Sequence, residues 1–189
     1  MSFTESVNQR DAETLLTLAR ETIQQGLRDG RALNLDLDEM PDGLNQRGAS
    51  FVTLTLDGQL RGCIGHLEAN QALVQDVVEN AALAAFSDPR FAPLTAKEFE
   101  TVEISLSILS APEPLLFDSE ADLLRKIRPG TDGLILEEGR QRGTFLPSVW
   151  ESLPEPQDFL RRLKQKAGLS ADYWSDSLQI LRYTAQYIS

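Results

Sequence analysis

The sequence predicts an α+β fold in which mostly antiparallel sheets pack against helices. Two observations lead to this fold class, and the length of the chain limits the number of domains. Two hairpins are predicted, each made of two strands joined by a short polar turn. Helices and single strands separate these hairpins, without the repeated strand–helix units that a parallel sheet requires. The length of 189 residues fits one domain, or one domain with two lobes, that buries a hydrophobic core.

The N-terminal part begins with a long helix. From residue 8 to residue 28, apolar side chains recur at helical spacing, and Gly30 follows where a C-cap is expected. In residues 51–56 apolar residues alternate with threonines, which predicts a strand. Asp57-Gly58 predicts a hairpin turn, because both residue types tolerate the positive φ angles that a tight turn needs. The return strand is then QLRGCIGH, residues 59–66.

The rest of the chain alternates between helices and strands. A helix is predicted over residues 71–86, with Asn70 as its N-cap and Pro89 beyond its end. Thr95 and Glu98 have the spacing of a capping box. The remaining predictions are a strand at 102–110, a helix at 119–127, a hairpin of strands 133–137 and 143–146, a helix at 155–167 and a terminal strand at 178–188.

Composition excludes several classes of partner and location. The net charge of −11 argues against nucleic acid, because neutralising phosphates takes concentrated Lys and Arg. No apolar run approaches the roughly 20 residues of a membrane span, so no membrane association is expected. A lone cysteine cannot form an internal disulfide, and the N-terminus lacks the layout of a secretory signal. We therefore expect a cytoplasmic protein.

The sequence predicts no cofactor and no metal. One cysteine and one histidine are too few for a structural zinc site or an iron–sulfur cluster within the chain. Neither a Walker-type phosphate loop nor a G-x-G-x-x-G fingerprint is present. A metal held by Cys63, His66 and a carboxylate such as Glu68 is the weakest alternative.

The segment QLRGCIGH holds the sole cysteine and the sole histidine, which makes Cys63 and His66 the candidate catalytic residues. In a regular strand Cys63 and His66 point to opposite faces, whereas Arg61 shares the face of Cys63 and can favour its thiolate. The alternatives stay open at this stage. Unpaired cysteines are among the most buried residue types, and His66 also fits a polar residue at a strand end.

A binding role has its own candidates. Gly62 and Gly65 weaken a strand, so either a bulge lies there or a ligand, a partner or an adjacent element approaches the main chain. Asp88 and Arg90 lie in a rigid turn after a predicted helix, where Arg90 can bind an anion or form a structural ion pair. Arg61, Gly62, Gly65, Asp88 and Arg90 are therefore the candidate binding residues for an anionic small molecule or a partner peptide.

The chain resembles the AMMECR domain family over about residues 8 to 188. Six segments carry the resemblance and occur in the order of that family, and Trp174 follows them. They are GQLRGCIGHLE (58–68), AAFSDPRFAPLT (84–95), VEISLSILSAPEPL (102–115), DGLIL (132–136), GTFLPSVW (143–150) and FLRRLKQKAGL (159–169).

The resemblance implies a single AMMECR-type domain over residues 1–189, with two lobes of which the larger is formed by both terminal regions. It also implies that the LRGCIG strand, residues 60–65, is an active or binding site. Prokaryotic members of the family are frequently neighbours of a Memo-like protein, similar to extradiol dioxygenases, and of a radical SAM protein. The resemblance therefore implies these two proteins as partners.

Two functions of different classes follow from these observations. One is a ligand- or partner-binding module centred on the LRGCIG strand, which the residues favour. The alternative is a cysteine-dependent enzyme, or a subunit of one, that works with the Memo-like and radical SAM partners.

Overall fold

The computed structural model describes residues 7–31 and 33–189. Within these residues the protein has helices and two antiparallel sheets, which confirms the predicted α+β class. The chain divides into two compact units. The first unit takes in the described residues up to Ser110 together with Gln186–Ser189, and the second is Ala111–Ala185.

The first unit contains a five-stranded sheet in the order β2-β1-β4-β9, with the short β3 paired to the start of β1. Helices α1 and α3 contact each other, and α3 packs on β1 and β2. The elements are α1 (Gln9–Asp29), a 3-10 turn (Leu37–Glu39), α2 (Asp42–Asn45), β1 (Arg47–Leu56), β2 (Gln59–Gly65), β3 (Gln71–Ala72), α3 (Leu73–Phe86), α4 (Ala96–Phe99), β4 (Glu103–Leu109) and β9 (Ala185–Ile188).

Local signals place most of these elements as predicted. The side chain of Asn8 caps α1, and Gly30 ends it in the left-handed conformation with φ of 71°. Asp57 and Gly58 both have positive φ angles in the turn between β1 and β2. The capping box of Thr95 and Glu98 is formed at the start of α4.

Two boundaries differ from the prediction for one reason. β1 begins at Arg47 rather than at residue 51, and α3 begins at Leu73 rather than at residue 71. Gln71 and Ala72 pair with Gly48 and Arg47, so their backbone belongs to the sheet instead of the helix. The N-cap of α3 is consequently Ala72, and Asn70 does not cap it.

The second unit has a four-stranded sheet in the order β5-β8-β6-β7 and its own hydrophobic core. In that core the indole ring of Trp150 stacks on Phe159 with centroids 3.8 Å apart. The predicted terminal strand is split at Thr184, and its two halves join different sheets. The elements are β5 (Glu113–Pro114), α5 (Glu120–Lys126), β6 (Gly133–Glu138), β7 (Gln141–Phe145), a 3-10 turn (Pro147–Glu151), α6 (Pro156–Lys166) and β8 (Gln179–Tyr183).

Candidate functional site

All of the predicted site residues lie in the first unit, on or beside the edge strand β2. β2 pairs with β1 so that Gly62 lies opposite Leu54 and Cys63 lies opposite Thr53. Residues opposite each other share a face of the sheet. The face with Leu54 and Gly62 therefore packs against α3, and the thiol of Cys63 lies on the other face.

A β-bulge interrupts this register at Arg61. Thr55 pairs with Leu60 while Leu54 pairs with Gly62, so Arg61 is the extra residue of β2. A bulge bends the strand and re-aims the side chain that it carries. The Arg61 side chain consequently reaches α4, where its Nε and Nη2 donate to the two carboxylate oxygens of Glu98 at 2.9 and 3.1 Å.

The sequence predicted that Arg61 lies beside Cys63 and favours its thiolate. The ion pair with Glu98 holds the side chain of Arg61 elsewhere. The hydrogen bonds from Arg61 and the backbone N–H of Thr95 lower the pKa of Glu98 from 4.5 to about 2. Both guanidinium nitrogens that donate to Glu98 are thus committed to a structural pair. The hydrogen bonds of Arg61 go to Glu98 and to the carbonyl oxygen of Pro93, and the side chain does not bond to Cys63.

Cys63 is instead held by residues of the turn after α3. Its backbone N–H donates to Oδ2 of Asp88 at 2.9 Å, and its carbonyl oxygen accepts from Nη2 of Arg90 at 3.0 Å. Both groups point outward from the sheet, because Cys63 is at a position of β2 that does not bond to β1. The thiol is half-buried and accepts a hydrogen bond from Oγ1 of Thr53 at 3.2 Å.

Asp88 and Arg90 form a fork-to-fork ion pair. Nε of Arg90 donates to Oδ1 of Asp88 at 2.9 Å, and Nη2 donates to Oδ2 at 2.7 Å. These bonds hold the pKa of Asp88 well below its usual range although burial acts in the opposite direction. They also raise the pKa of Arg90. The side chain of Asp88 is 1% exposed while that of Arg90 is 53% exposed, so a buried anion anchors a guanidinium at the surface.

An aromatic ring completes this surface. The guanidinium carbons of Arg90 and Arg61 lie 5.5 and 5.9 Å from the centre of the Phe91 ring. Distances below about 6 Å are typical of cation–π contacts. Phe91 therefore helps to hold both arginines in place. Asp88, Arg90, Phe91 and the outer edge of β2 at Cys63 are called the edge site below.

The two glycines of β2 are explained by packing within the unit. A Cβ atom at Gly62 would collide with the carbonyl oxygen of Ala84 in α3, and one at Gly65 would collide with the Phe51 ring and the carbonyl oxygen of Ser50. The element that approaches the bare main chain is thus α3 at Gly62 and β1 at Gly65. The sequence left open whether a ligand, a partner or an adjacent element approaches these glycines. In the structure it is an adjacent element.

His66 lies apart from Cys63, at the end of β2 on the side of α3. Its Nδ1 is 2.7 Å from Oδ1 of Asp76, whose carboxylate is 1% exposed. Oδ2 of Asp76 accepts from the backbone N–H and the hydroxyl of Ser50 and from the amide of Asn80. The two candidate catalytic residues therefore contact different partners on opposite faces of the strand.

Sequence reasoning missed Asp76, Asn80, Ser50 and Glu98. A signal for the first two was present, since Asp76 and Asn80 are four residues apart in a helix whose other inward residues are apolar. A polar pair at that spacing on a buried face indicates a shared hydrogen-bond network. Glu98 was recognised as a capping residue but not as the partner of Arg61.

Metal-binding clusters and membrane-spanning helices are both absent among the described residues. In the ranges 7–31 and 33–189 no three His, Cys, Asp or Glu side chains are grouped so that they could hold a metal ion. None of the helices in the same ranges has the length and apolar character needed to cross a membrane.

A cavity of about 410 Å³ lies along α3. It is bordered by residues 33–35 and by side chains that include Gln71, Glu79 and Leu83. The predicted site residues are not part of its lining.

Comparisons with known proteins agree with this architecture. The chain is 39% identical over 182 residues to a protein of Methanothermobacter thermautotrophicus, covering 93% of this chain and 92% of the relative. It is 36% identical to a protein of Thermofilum pendens, covering 91% and 86%. The crystal structure of the uncharacterized protein PH0010 from Pyrococcus horikoshii superposes with a TM-score of 0.86 at 31% identity, covering 96% of this chain and 92% of that one.

The family model that matches is AMMECR1, and the match runs over residues 16–188. The matched range includes β2, the turn that carries Asp88 and Arg90, and both sheets. The resemblance seen in the sequence motifs is therefore confirmed, and the chain belongs to the AMMECR1 family.

Proposed function

We propose that the protein is a binding module that takes a ligand with a carboxylate or phosphate group at the edge site. One observation carries this proposal. The side chain of Arg90 is 53% exposed, yet its guanidinium is held in one orientation by the buried carboxylate of Asp88 and by the carbonyl oxygen of Cys63. Nε and Nη2 of Arg90 are used in these bonds, and the two N–H groups of Nη1 are left to donate to an oxygen of a carboxylate or phosphate.

Preorganisation is the physical reason to expect binding there. A free arginine side chain has about 2 kcal/mol of rotamer entropy, part of which is lost when it binds a ligand. Arg90 has already lost this freedom to the ion pair with Asp88 and to its contact with Phe91. Holding a group in its bound conformation lowers the cost of association. The remaining nitrogen, Nη1, is not used in the bonds to Asp88 and Cys63.

Strand addition by a partner peptide is disfavoured at the same place. A peptide that extends a sheet must bond to the outward N–H and C=O groups of the edge strand. At Cys63 both groups are already occupied by Asp88 and Arg90. The peptide would have to displace Asp88 and Arg90 from the main chain of Cys63, so an anionic small molecule is the better fit.

The sole cysteine allows a direct test with pyrophosphate as the probe. Binding at Arg90 is expected to slow the alkylation of Cys63 by iodoacetamide in the native protein and in an Arg128→Lys variant. The slowing is expected to be lost in Arg90→Lys. Arg128 is a matched control, because it is 51% exposed and forms the same kind of ion pair with the buried Asp132. Equal protection in the Arg90 variant, or no protection at all, would refute the proposal.

The alternative is a cysteine-dependent enzyme or enzyme subunit. Its support is the hydrogen bond from Thr53 to Sγ of Cys63, since a donor at 3.2 Å stabilises a thiolate. A Thr53→Val variant removes the donor and keeps the shape. If Cys63 is a nucleophile, this variant reacts more slowly with iodoacetamide than the native protein. An unchanged or faster rate means that Thr53 only packs against a structural thiol.

We further propose the Memo-like and radical SAM proteins as partners, on the basis of the family resemblance alone. Co-expression with an affinity tag on this chain tests the proposal. A complex that persists through size-exclusion chromatography supports it. Separate elution of all three proteins at micromolar concentrations contradicts it.

A further inference from the structure

A buried carboxylate lies behind the partly exposed ring of His66. The side chain of Asp76 is 1% exposed, and the neighbouring Val74 and Val77 of α3 are fully buried. A carboxylate in such surroundings requires hydrogen bonds to nearly all of its lone pairs. The partners of Asp76 therefore determine what this group does.

The two oxygens of Asp76 have different roles. Oδ2 accepts from the N–H of Ser50 at 2.8 Å, from its hydroxyl at 2.7 Å and from Nδ2 of Asn80 at 2.9 Å. Oδ1 faces Nδ1 of His66 at 2.7 Å, with Nε2 of Gln71 at 3.5 Å, the outer limit of a hydrogen bond. Oδ2 is thus saturated by fixed donors, and Oδ1 is left for the imidazole.

This arrangement sets the tautomer of His66. An ionised carboxylate only accepts hydrogen bonds, so the proton of a neutral imidazole must be on Nδ1. The lone pair is then on Nε2, which bonds to none of the residues that the structure describes. The side chain of His66 is 41% exposed, so the ring is open to other molecules.

A purely structural role does not explain why Asp76, Asn80 and Ser50 form a buried polar cluster, because burying these groups lowers the stability of the fold. Oδ1 of Asn80 is buried and has no hydrogen-bond partner among the described residues. A buried polar group without a partner is destabilising, and apolar residues of similar volume would fill the same space at lower cost. Polar clusters that are kept at such a cost are common at functional sites.

We propose that His66 is a general base, with Nε2 as the proton acceptor and Asp76 as the positioning residue. In the step proposed, a weakly acidic O–H, S–H or N–H group gives its proton to Nε2. As that proton leaves, the O, S or N atom forms a bond to an electrophilic carbonyl carbon, and the bond from that carbon to its leaving group breaks. Asp76 stabilises the imidazolium that forms, and the imidazolium gives its proton to the departing group. The orientation and tautomer of a histidine base are commonly fixed in this way by a carboxylate on Nδ1.

The surrounding charge indicates the class of substrate. Glu79 is exposed on the same helix as Asp76, and Nε2 of Gln71 donates to its carboxylate at 2.7 Å. Asp76 adds a second negative charge at the Nδ1 edge of the ring. An anionic substrate would be repelled by these carboxylates, so His66 acts on a neutral or cationic molecule.

This site is independent of the edge site and of the binding function proposed there. Arg90 contacts Cys63 at the outer edge of β2, whereas His66 contacts Asp76 on the side of the sheet that faces α3. Loss of anion binding in Arg90→Lys would leave the properties of His66 unchanged. The two proposals can therefore fail separately.

The sole histidine gives a clean spectroscopic test. Long-range ¹H–¹⁵N correlation spectra of the neutral ring are expected to show the proton on Nδ1. In Asp76→Asn, the amide oxygen is expected to replace Oδ2, where three donors converge, so that the NH₂ group faces His66. Nδ1 must then accept, and the proton moves to Nε2. A proton on Nε2 in the native protein overturns the proposal, even if the variant does not fold.

Hydrolysis of p-nitrophenyl acetate tests the reactivity of Nε2. His66 takes a proton from water as the water oxygen bonds to the ester carbonyl carbon, the bond from that carbon to p-nitrophenolate breaks, and the imidazolium returns the proton to this leaving group, which gives acetic acid and p-nitrophenol. The rate is expected to fall by about tenfold or more in Asp76→Asn and to be unchanged in Asp122→Asn, which changes a carboxylate of α5 in the second unit. A p-nitrophenyl ester that carries a carboxylate is expected to react more slowly than the acetate. Equal rates in the native protein and Asp76→Asn overturn the proposal.

Discussion

At the residue scale, the two buried carboxylates beside β2 are satisfied in different ways. Asp88 is paired with a guanidinium, which keeps its charge at all ordinary pH values. Asp76 is surrounded by a hydroxyl, amides and an imidazole that can exchange a proton. The first arrangement suits a fixed binding surface and the second suits proton transfer. Both depend on the close packing of α3 against β2.

At Gly62 the main chain of β2 lies directly against α3, and Gly62→Ala tests this packing. The added Cβ would collide with a backbone carbonyl oxygen of α3, so helix and strand must separate. We expect the free energy of unfolding to fall by about 1–3 kcal/mol, as for other overpacked cores. Urea unfolding at neutral pH measures the change.

Gly43→Ala is the matched control for that experiment. A Cβ at Gly43 would meet nothing closer than Oδ2 of Asp11 at 3.5 Å, which is an ordinary contact. Its stability is expected to stay close to that of the native protein. Equal urea midpoints for the two variants would mean that α3 does not depend on a glycine at position 62.

At the element scale, the Arg61–Glu98 pair joins the bulge of β2 to α4. The folded-state pKa of Glu98 is about 2, below the ordinary value of 4.5. A lowered folded-state pKa contributes stability that is present above pH 4.5 and is lost as the pH falls towards 2. We expect Glu98→Gln to be less stable than the native protein at pH 7, with the difference shrinking between pH 4.5 and pH 2.

Urea midpoints at pH 7, 4 and 3 measure this dependence for Glu98→Gln and for Glu113→Gln. Glu113 forms a more exposed ion pair with Arg182, and such pairs contribute about 0–1 kcal/mol. Its variant is expected to differ little from the native protein at any pH. A difference for Glu98→Gln that does not change with pH would contradict the account.

Also at this scale, local signals predicted most elements but not their partners. Caps and turns such as Gly30, the capping box of Thr95 and Glu98, and Asp57-Gly58 were readable because their chemistry is local. The alternating run at 178–188 divides between two sheets, because periodicity does not specify which strand a residue pairs with. The bulge at Arg61 was missed for the same reason, and with it the bond to Glu98.

At the scale of the whole molecule, each unit contains residues whose spectroscopic or chemical signal reports on the folding of that unit alone. The two tryptophans, Trp150 and Trp174, lie in the second unit, and the sole cysteine and histidine lie in the first. Tryptophan fluorescence therefore reports on the second unit, while alkylation of Cys63 reports on the first.

We expect the fragment 111–185 to fold on its own. Its ends are held together by β5 and β8, where Glu113 pairs with Arg182, and it has a separate core around Phe159. The expected result is native-like tryptophan emission and cooperative urea unfolding. Emission typical of water-exposed indole would contradict the prediction. A single core in a chain of about 70–80 residues gives low stability, so the urea midpoint is expected to be modest.

The residue patterns and the family resemblance predicted the fold class and named candidate residues, but not how those residues are arranged. The resemblance pointed to the LRGCIG strand, the residues of the turn after α3 pointed to Asp88 and Arg90, and the structure brings Asp88 and Arg90 onto Cys63. The network around Asp76 depends on how α3 crosses the sheet. A motif in a single segment contains no information about that contact.

The central claim is that Arg90, anchored on Asp88, is a preformed anion site at the edge of β2. The most direct measurement is a titration of ¹⁵N-labelled protein with inorganic phosphate, followed through the backbone amides of Cys63, Arg90 and Arg128. We predict saturable shifts at Cys63 and Arg90 that are absent in Arg90→Lys, with no comparable shift at Arg128. Shifts of similar size at both arginines, or none at Cys63, would contradict the account.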